Sequence, residues 1–410
     1  MNVRSTTAPV YGLFNAWHDE ALAAGVENFT PSQAARTISH DLALLPFWSS
    51  ACGSAVVPNV EECTRFIESL PLLRRDGRLV SSLRDTTDGV VEPWGWDKPV
   101  LRSLRKAGIE AAADSRHIAA IERLQNRQTS SLFLPSLLDA LRSCEALRGV
   151  EFTGQSLFAH TFAEVLAAIA DGGQYMLKRP LSGSGRGLMP VKGGTLNARE
   201  AAWTQAACRR YGGLEVQRLC SVVMNFALEF YKPHDGGYRF IGCSEFANTG
   251  GGAYGGNYLS AGSRRGAEIC RAAKISAAGF DAFVSIVAGE MDKLAPDYCG
   301  PAGIDMMVCR SEAGIAVFPC VEINFRHTMG MLANSIGITP DIGCHAWFCI
   351  ERAGKDGEML EQMRRITAQN PPIKSRCFRG DESFLTGYLP LTPVAETTRF
   401  HAYLLFEYGT

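Results

Sequence analysis

Two neighbouring apolar segments near residue 310 carry acidic and amide side chains, and they limit the folds open to this chain more than any other feature. GIDMMVC (303–309) and IAVFPCVEINF (315–325) are joined by RSEAG, which predicts a pair of antiparallel strands. Glu322 and Asn324 are two residues apart, so both side chains leave one face, and Asp305 can lie on the same face of the neighbouring strand. Ionised groups are costly to bury unpaired in strands this apolar, which favours a cation site.

The donor types of these residues indicate which cation would suit them. Two carboxylates and an amide oxygen form an all-oxygen set, suited to Mg²⁺ that keeps part of its water and bridges nucleotide phosphates. A polar outer face of an edge strand is the alternative interpretation. Arg326 and His327 follow directly. An arginine there can hold a phosphoryl or carboxylate oxygen bidentately, whereas a lone histidine is more often a packed or hydrogen-bonding residue than a general base.

A lysine followed by a glycine-rich segment comes earlier in the chain. Residues 174–179 predict a strand that carries Lys178 and runs into SGSGRG, residues 182–187. Glycines let the backbone fold over a polyphosphate and point its N–H groups at the oxygens, while the lysine neutralises charge. The spacing is neither that of a P-loop nor that of a dinucleotide-binding loop. A flexible hairpin loop is an equally good interpretation of the segment by itself.

The region between these two motifs alternates strands and turns. VVMNFALEFY, residues 222–231, predicts a long strand with Asn225 and Glu229 on one face and an apolar opposite face. HDGG at 234–237 predicts the hairpin turn to a return strand. Residues 267–294 predict one long helix, and DLALLPF near the N-terminus, residues 41–47, predicts a strand.

A second glycine-rich segment spans residues 248–257. Tyr254 and Asn257 are its residues most able to contact a ligand, although a plain turn between a strand and a helix fits equally well. Arg264 and Arg265 follow it. Such exposed arginines are more often solvated surface charges than ligands.

Taken together, these residues resemble the ATP-grasp superfamily, of the carboxylate–amine ligase type. The resemblance covers roughly residues 115–340, and the ExNxR stretch after a GxD strand is its most specific part. It implies an α/β and α+β fold class, in which an N-terminal pre-ATP-grasp α/β domain precedes a two-lobed ATP-grasp fold. PWGWDK at 93–98 resembles part of the first domain, where Trp94 and Trp96 would fill an interface between lobes. The implied domains are 1–125 as the pre-ATP-grasp-like domain, 126–220 as the small lobe with linker helices, 221–345 as the catalytic lobe and 346–410 as a C-terminal extension packing on that lobe.

The resemblance also implies a role for each motif residue. Asp305, Glu322 and Asn324 would bind Mg²⁺ or Mn²⁺. Lys178 and Arg326 would be catalytic cations, with Arg326 also facing the acceptor substrate beside Tyr254 and Asn257. The residues implied to bind ATP are Lys178, Ser182, Gly183, Ser184, Gly185, Arg186, Gly187, Glu215, Gln217, Leu219, Asn225 and Glu229.

The chain departs from the family pattern at the predicted hinge strand EVQRLC, which would contact adenine. A glutamate is common where Gln217 stands, so either the alignment shifts and Glu215 is the relevant acid, or the contacts differ. An acid is likewise common where Asn225 stands, which makes Glu229 the candidate for ribose or a metal-bound water. The basic residue expected before the small lobe is either Arg127 or Arg148, and the sequence does not decide between them.

The activity implied by the resemblance is ligation of a carboxylate to an amine through an acylphosphate, with release of ADP and phosphate. A kinase on the same scaffold, transferring phosphate to a hydroxyl group, is the first alternative. A non-catalytic ATP-binding regulatory protein is the second, although a complete metal-ligand set argues against it.

Composition narrows the class of protein further. The chain has 410 residues, 46% of them hydrophobic and 20% charged, which is enough for a large core in two to three domains of about 150 residues each. Lys plus Arg is 41 and Asp plus Glu is 42, a balance that argues against a nucleic-acid partner. With no evident signal peptide or membrane span and 13 scattered cysteines, we expect a cytoplasmic protein with free thiols. We expect small-molecule or peptide carboxylate and amine substrates, and a homodimer by general preference.

Overall fold

The chain folds into two compact units in a computed structural model that describes residues 8–49, 51–70, 77–183, 187–248, 254–260, 266–312, 314–336, 344–371, 373–376 and 382–408. The first unit comprises Met1–Ile118, Gly255–Arg264 and His327–Thr410, and the second comprises Ala119–Tyr254 and Arg265–Arg326.

Strands and helices alternate through much of the chain. In chain order, the strands are β1 (Val10–Leu13), β2 (Gly53–Val56), β3 (Leu79–Val80), β4 (Val90–Pro93), β5 (Glu151–Phe152), β6 (Ser156–Ala159), β7 (Gln174–Lys178), β8 (Leu188–Lys192), β9 (Leu214–Arg218), β10 (Ser221–Lys232), β11 (Arg239–Asn248), β12 (Tyr254–Ser260), β13 (Gly300–Ser311), β14 (Gly314–Asn324), β15 (Cys344–Arg352), β16 (Ile373–Arg376), β17 (Glu382–Pro390) and β18 (Phe400–Tyr408). The α-helices are α1 (His18–Ala24), α2 (Gln33–Asp41), α3 (Val60–Ser69), α4 (Lys98–Ala107), α5 (Ser115–Leu124), α6 (Arg127–Arg142), α7 (Phe162–Ala168), α8 (Ala198–Tyr211), α9 (Ala267–Ala273), α10 (Ala277–Leu294), α11 (Met329–Ser335) and α12 (Glu358–Gln369).

The first unit begins with a parallel sheet in the order β3-β2-β1-β4. The strand predicted for residues 41–47 is wrong: helix α2 ends at Asp41, and a 3₁₀ turn, Leu45–Trp48, follows. Pro46 explains the difference, because it has no N–H to donate to a strand ladder and suits the start of a helical turn. The turn is buried, and the Trp48 indole donates to the Leu391 carbonyl at 2.6 Å.

Five further strands of the first unit are antiparallel and lie in the order β16-β17-β18-β15-β12. Strand β12 contains part of the second glycine-rich segment, so a plain turn does not describe residues 254–257. Gly256 is needed there, because a Cβ atom would lie 2.7 Å from the Phe348 carbonyl oxygen and the residue has a φ of +149°.

The second unit contains a small antiparallel sheet in the order β6-β9-β7-β8. Helices α7 and α8 cover one face, where Tyr175, Leu177 and Val216 join the apolar core. Because side chains alternate along a strand, Lys178 and Glu215 lie on the opposite face. The sheet thus separates an apolar face from a polar one.

Five other strands of the second unit lie in the order β11-β10-β13-β14-β5, and helix α6 packs against β14. The hairpin of β13 and β14 and the turn between β10 and β11 confirm the predictions for those segments. The single helix predicted for residues 267–294 is instead α9 and α10. Lys274 ends α9 with a φ of +56°, and the Ser276 side chain caps the start of α10.

None of the described helices has, on its own, the length and apolar composition of a membrane span. Helices α9 and α10 meet that test only as a pair, which is bent by 100°.

Candidate functional site

Asp305 and Glu322 lie directly opposite each other on β13 and β14, and Asn324 stands opposite Gly303. The Asn324 amide donates to Asp305 Oδ2 at 3.3 Å. Burial, and then the negative charge of Glu322, raise the pKa of Asp305 to about 7. The three predicted metal ligands are therefore adjacent, on the strand pair that the sequence indicated.

The donor chemistry of this cluster fits a divalent cation. Two carboxylates are held opposite each other next to an amide oxygen, and a hard cation would reduce the repulsion between them. No group of three or more His, Cys, Asp or Glu side chains in the described parts of the chain is arranged to hold a metal. The set formed by Asp305, Glu322 and Asn324 offers two such side chains and an amide, which suits Mg²⁺ retaining several waters.

Lys178 lies opposite Glu215 across β7 and β9, and its Nζ is 3.2 Å from Glu215 Oε2. Lys178 also donates to the Val321 carbonyl at 3.3 Å, beside the predicted metal ligand Glu322. Glu215 is fully buried, and Ser156 donates to its Oε1 at 2.6 Å. Gln217 is buried on the same face, with its Nε2 3.5 Å from the Val321 oxygen. Of the two hinge positions left open by the sequence, Glu215 supplies the acid that pairs with the lysine.

Arg127, at the start of α6, connects the glycine segment to the predicted metal ligands. Its Nη2 donates to both carboxylate oxygens of Glu322 at 2.9 Å and to the Ser182 carbonyl at 2.8 Å. Its Nη1 donates to Ser182 Oγ at 2.6 Å and to the Arg179 carbonyl at 2.7 Å. Its Nε lies 3.8 Å from Glu215 Oε2, and the side chain is buried. These contacts place a cation among the groups predicted to bind ATP.

Arg148, the other candidate for the basic residue, is in a different environment. Its side chain is 79% exposed and pairs with Glu145 at 2.6 Å. The structure therefore favours Arg127. The sequence signal was the N-cap residue Asn126, which places Arg127 in the first helical turn, but that pattern alone does not reveal what the side chain contacts.

The glycine segment closes at its base through the hydrogen bond from the Arg179 N–H to the Gly187 carbonyl, at 3.0 Å. Gly187 has a φ of +77°, a conformation that favours glycine. Ser182 accepts hydrogen bonds from Arg127 through its hydroxyl and its carbonyl oxygens. Gly183 follows it as the last described residue before the gap. Ser184, Gly185 and Arg186 lie outside the described residues.

Three other residues predicted to bind ATP have mainly structural contacts. The Leu219 N–H donates to the Gln174 carbonyl at 2.9 Å, so this amide is already engaged, although the side chain is exposed. Asn225 is half-buried on β10, opposite Phe246. Glu229 is buried, and Ser244 donates to its Oε1 at 2.9 Å. Their roles toward a nucleotide stay predictions.

The predicted substrate residues fall in both units. Arg326 is half-buried directly after β14, and its positive charge lowers the proton affinity of Asp305. Tyr254 is half-buried at the start of β12, and it is the residue of that strand that belongs to the second unit. Asn257 is buried in the first unit opposite Phe348. Substrate contacts by Tyr254 and Asn257 stay predictions.

The PWGWDK segment of the first unit forms contacts that the sequence did not reveal. Trp94 packs against Phe14 and the His327 ring, with ring centroids 5.0 and 6.1 Å away. The His327 N–H donates to the Trp94 carbonyl at 3.0 Å, and His327 Nε2 lies 3.2 Å from Glu92. A carboxylate beside His327 was not predicted, because Glu92 is 235 residues away in the chain.

Comparison with known proteins adds the class of fold. The sequence matches no protein-family model and no curated protein. Among solved structures, it is similar to N5-carboxyaminoimidazole synthetase from Staphylococcus aureus, with 10% identity, coverage of 98% of this chain and 94% of that chain, and a TM-score of 0.50. It is also similar to biotin carboxylase from Campylobacter jejuni in its β,γ-ATP complex, with 10% identity, coverage of 98% and 88%, and a TM-score of 0.50. The chain has the ATP-grasp fold, as the sequence predicted.

Proposed function

We propose that this protein is an ATP-dependent ligase that joins a carboxylate to an amine through an acylphosphate and releases ADP and phosphate. The observation that carries the proposal is the cluster in the second unit. There, the cations Lys178 and Arg127 and the carboxylates Asp305 and Glu322 come from four separate elements. Arg127 donates to Glu322, Lys178 donates to the carbonyl of the preceding residue, Val321, and Asp305 stands opposite Glu322 on the neighbouring strand. The similar biotin carboxylase was studied as a β,γ-ATP complex, which is consistent with nucleotide binding on this fold.

The chemistry follows from the charges of the reactants. A carboxylate is a poor acyl donor, because its leaving group would be an oxide. Transfer of the γ-phosphoryl group to the carboxylate gives an acylphosphate, and an attacking amine then displaces phosphate to form the amide. Each step develops negative charge on phosphoryl oxygens, which positioned cations stabilise.

The residues of the cluster would divide this work. Lys178 and Arg127 would bind phosphate oxygens, and Arg326 would hold the acceptor carboxylate or the transferred phosphoryl group. Asp305, Glu322 and Asn324 would hold Mg²⁺ or Mn²⁺, which when bound supplies a Lewis acid for the phosphoryl group. The glycine segment that begins at Ser182 would cover the phosphates and exclude water from the acylphosphate.

The wider proposal concerns substrates and setting. Small-molecule or peptide carboxylates and amines are the proposed substrates, since the predicted chemistry requires one of each. We also propose a homodimer in the cytoplasm, which sedimentation of the purified protein and fractionation of cells would test.

The experiment is an assay of ATP turnover with Mg²⁺ against a panel of amino acids and short peptides, in which ADP, phosphate and the organic product are followed together. ADP and phosphate that appear only when a carboxylate and an amine are both present support the ligase. ADP without free phosphate, together with a phosphorylated acceptor, would assign a kinase. ATP binding without turnover across the panel would favour a binding protein.

A pair of variants tests the assignment of the basic residue. Arg127→Gln removes a buried cation that touches Glu322 and Ser182, so we expect ATP affinity to fall about tenfold or more. Arg148→Gln changes an exposed arginine that follows helix α6, and it should leave ATP affinity unchanged. Equal effects of the two changes would contradict the assignment.

A further inference from the structure

A cavity of about 410 Å³ opens in the second unit between helix α6 and the small sheet. Leu134 and Leu138 from α6 and Val216 from β9 give it an apolar floor, and all three are buried. Val216 faces away from Glu215 and Gln217, because side chains alternate along the strand. The cavity therefore lies behind the strand whose other face contacts Lys178.

Two charged side chains, Asp139 and Arg142, stand in the wall of this cavity, three residues apart on α6. Both are exposed, and they form no ion pair with each other. Arg142 donates to the Phe152 carbonyl at 2.8 Å, and within the described residues its guanidinium meets no carboxylate. The carboxylate of Asp139 accepts no hydrogen bond there.

The next acid and arginine along the chain behave differently. Glu145 and Arg148 have the same spacing and charge order, and they pair directly at 2.6 Å. Three-residue spacing normally permits such a pair. The open arrangement of Asp139 and Arg142 therefore leaves one negative and one positive group at the edge of an apolar space.

A third charge in the wall is already compensated. Arg218 forms an ion pair with Asp171 and lies over the Tyr175 ring. The groups left for a ligand are one carboxylate, one guanidinium and an apolar floor. An α-amino acid matches all three, since its ammonium and carboxylate groups are separated by one carbon and its side chain projects from that carbon.

We propose that this cavity binds an apolar α-amino acid as an effector. The ammonium group pairs with Asp139, the carboxylate pairs with Arg142, and the side chain lies over Leu134 and Leu138. Charge-assisted hydrogen bonds of this kind give orientation, and the apolar floor adds affinity through burial. A volume of about 410 Å³ falls within the range of ordinary small-molecule sites.

Ser156 connects the cavity to the predicted nucleotide site. It stands in the cavity wall, and its hydroxyl donates to Glu215 Oε1 at 2.6 Å. Glu215 in turn pairs with Lys178 at 3.2 Å. An occupant that shifts or fixes Ser156 changes the position of the acid that holds the lysine, and so changes ATP affinity. This part of the proposal rests on the proposed function.

The first experiment measures binding of L-phenylalanine to the purified full chain by calorimetry, without nucleotide. 3-Phenylpropionate lacks the ammonium group and phenethylamine lacks the carboxylate, so each tests one charge. We expect saturable binding of phenylalanine, and each analogue should bind at least about tenfold more weakly. Equal binding of phenylpropionate, or no saturable binding of phenylalanine at millimolar concentration, would overturn the proposal.

Variants locate that binding. Asp139→Asn and Arg142→Gln should each weaken phenylalanine binding about tenfold, while Glu145→Gln and Arg148→Gln, the matched pair outside the cavity, should not. Because all four side chains are exposed, we expect every variant to fold, which circular dichroism checks. Binding that survives Asp139→Asn but is lost in Arg326→Gln belongs to the predicted active site, and overturns the cavity assignment.

The second experiment measures coupling. ATP affinity is determined with and without saturating phenylalanine, in the wild-type chain and in Ser156→Ala. We expect a change of about threefold or more in the wild type, within the usual range of coupling between sites, and little change in the variant. An unchanged wild-type affinity would refute the effector role. Absence of ATP binding altogether would contradict the proposed function instead, because phenylalanine binding is measured without nucleotide.

Discussion

The two units bury polar side chains in opposite ways. In the second unit, Asp305 and Glu322 face each other across a strand pair. Burial, and then the charge of Glu322, raise the pKa of Asp305 to about 7. In the first unit, Asn15 and Asp97 are completely buried, yet each is engaged by neighbours of complementary type. The first arrangement holds two carboxylates opposite each other, with Arg127 on Glu322 and the charge of Arg326 acting on Asp305, whereas the second joins an amide to a single carboxylate.

The buried network of the first unit fixes one turn of the chain. The Asn15 amide donates to the Gly95 carbonyl at 2.8 Å and to Asp97 Oδ2 at 3.0 Å, and the Gly95 N–H donates back to Asn15 at 3.2 Å. Asp97 Oδ1 caps α4 by accepting from the Val100 N–H at 2.8 Å. Buried hydrogen bonds of this kind restrict the geometry of the turn. The contrast teaches that burial of charge alone does not indicate a functional site, whereas two carboxylates held opposite each other favour the prediction of a cation site.

The strongest test of the contrast is Glu322→Gln, which removes one charge from the cluster. If the cluster holds a metal for phosphoryl transfer, turnover should fall about 100- to 1000-fold, the usual loss when one group that stabilises developing charge is removed. The fold should persist, because the amide oxygen can still accept from Arg127. Coupled measurement of ADP release and Mn²⁺ binding by electron paramagnetic resonance checks both points.

Glu151→Gln is the matched control for that variant. Glu151 is an acid on β5, at the edge of the same sheet, and accepts from Ser311 at 2.7 Å. We expect turnover and Mn²⁺ affinity to stay at the wild-type level. Wild-type Mn²⁺ affinity in Glu322→Gln would remove the basis for the metal assignment.

The second test, Asp97→Ala, breaks the buried network of the first unit. The change removes a helix cap and leaves the buried Asn15 amide without an acceptor, so we expect a loss of about 3 kcal/mol in the free energy of unfolding. Urea denaturation followed by tryptophan fluorescence measures it, since Trp94 and Trp96 flank this turn.

Asp114→Ala provides the exposed counterpart of that change. Asp114 accepts from the His117 N–H at 2.8 Å at the surface, so its loss removes one local hydrogen bond and strands no buried group. A markedly smaller destabilisation is expected. Equal losses for the two variants would mean that the buried network adds nothing beyond the cap.

The contrast also shows how far the sequence could predict the site. The pairing of Asp305 with Glu322 could be predicted from the sequence, because both lie in strongly apolar strands joined by a short turn, which fixes the register within narrow limits. The strand that carries Lys178 could also be predicted, because a short, largely apolar segment is followed directly by the glycine segment. Local pattern therefore predicted that the acids of this hairpin lie side by side, while their role as metal ligands stays a prediction.

Contacts between elements that are distant in the chain could not be predicted in this way. Arg127 reaches Glu322 from a helix 195 residues away, and nothing in the local pattern distinguished it from Arg148. That Glu215 stands opposite Lys178 depends on the pairing of β7 with β9, which the local pattern does not reveal. Which hinge residue contacts adenine stays a prediction. Residues 41–47 were wrongly predicted as a strand because they are hydrophobic. Pro46 has no N–H to donate to a strand ladder, and the structure has a 3₁₀ turn there.

The last test concerns His401, another buried polar group of the first unit, and its effect depends on pH. His401 contacts Tyr388 and Thr392 through its two ring nitrogens, and burial lowers its pKa to about 3. The folded chain keeps this ring neutral, whereas the unfolded chain takes up a proton below about pH 6.5. Stability should therefore fall as pH decreases from about 6.5 toward 3, by up to about 1.4 kcal/mol per pH unit from this group. Urea denaturation at pH 6.5, 5.5 and 4.5 should show a shallower pH dependence of stability for His401→Gln than for the wild type. The exposed control His160→Gln should keep the wild-type dependence. Identical slopes for His401→Gln and the wild type would show that the fold does not hold the ring neutral.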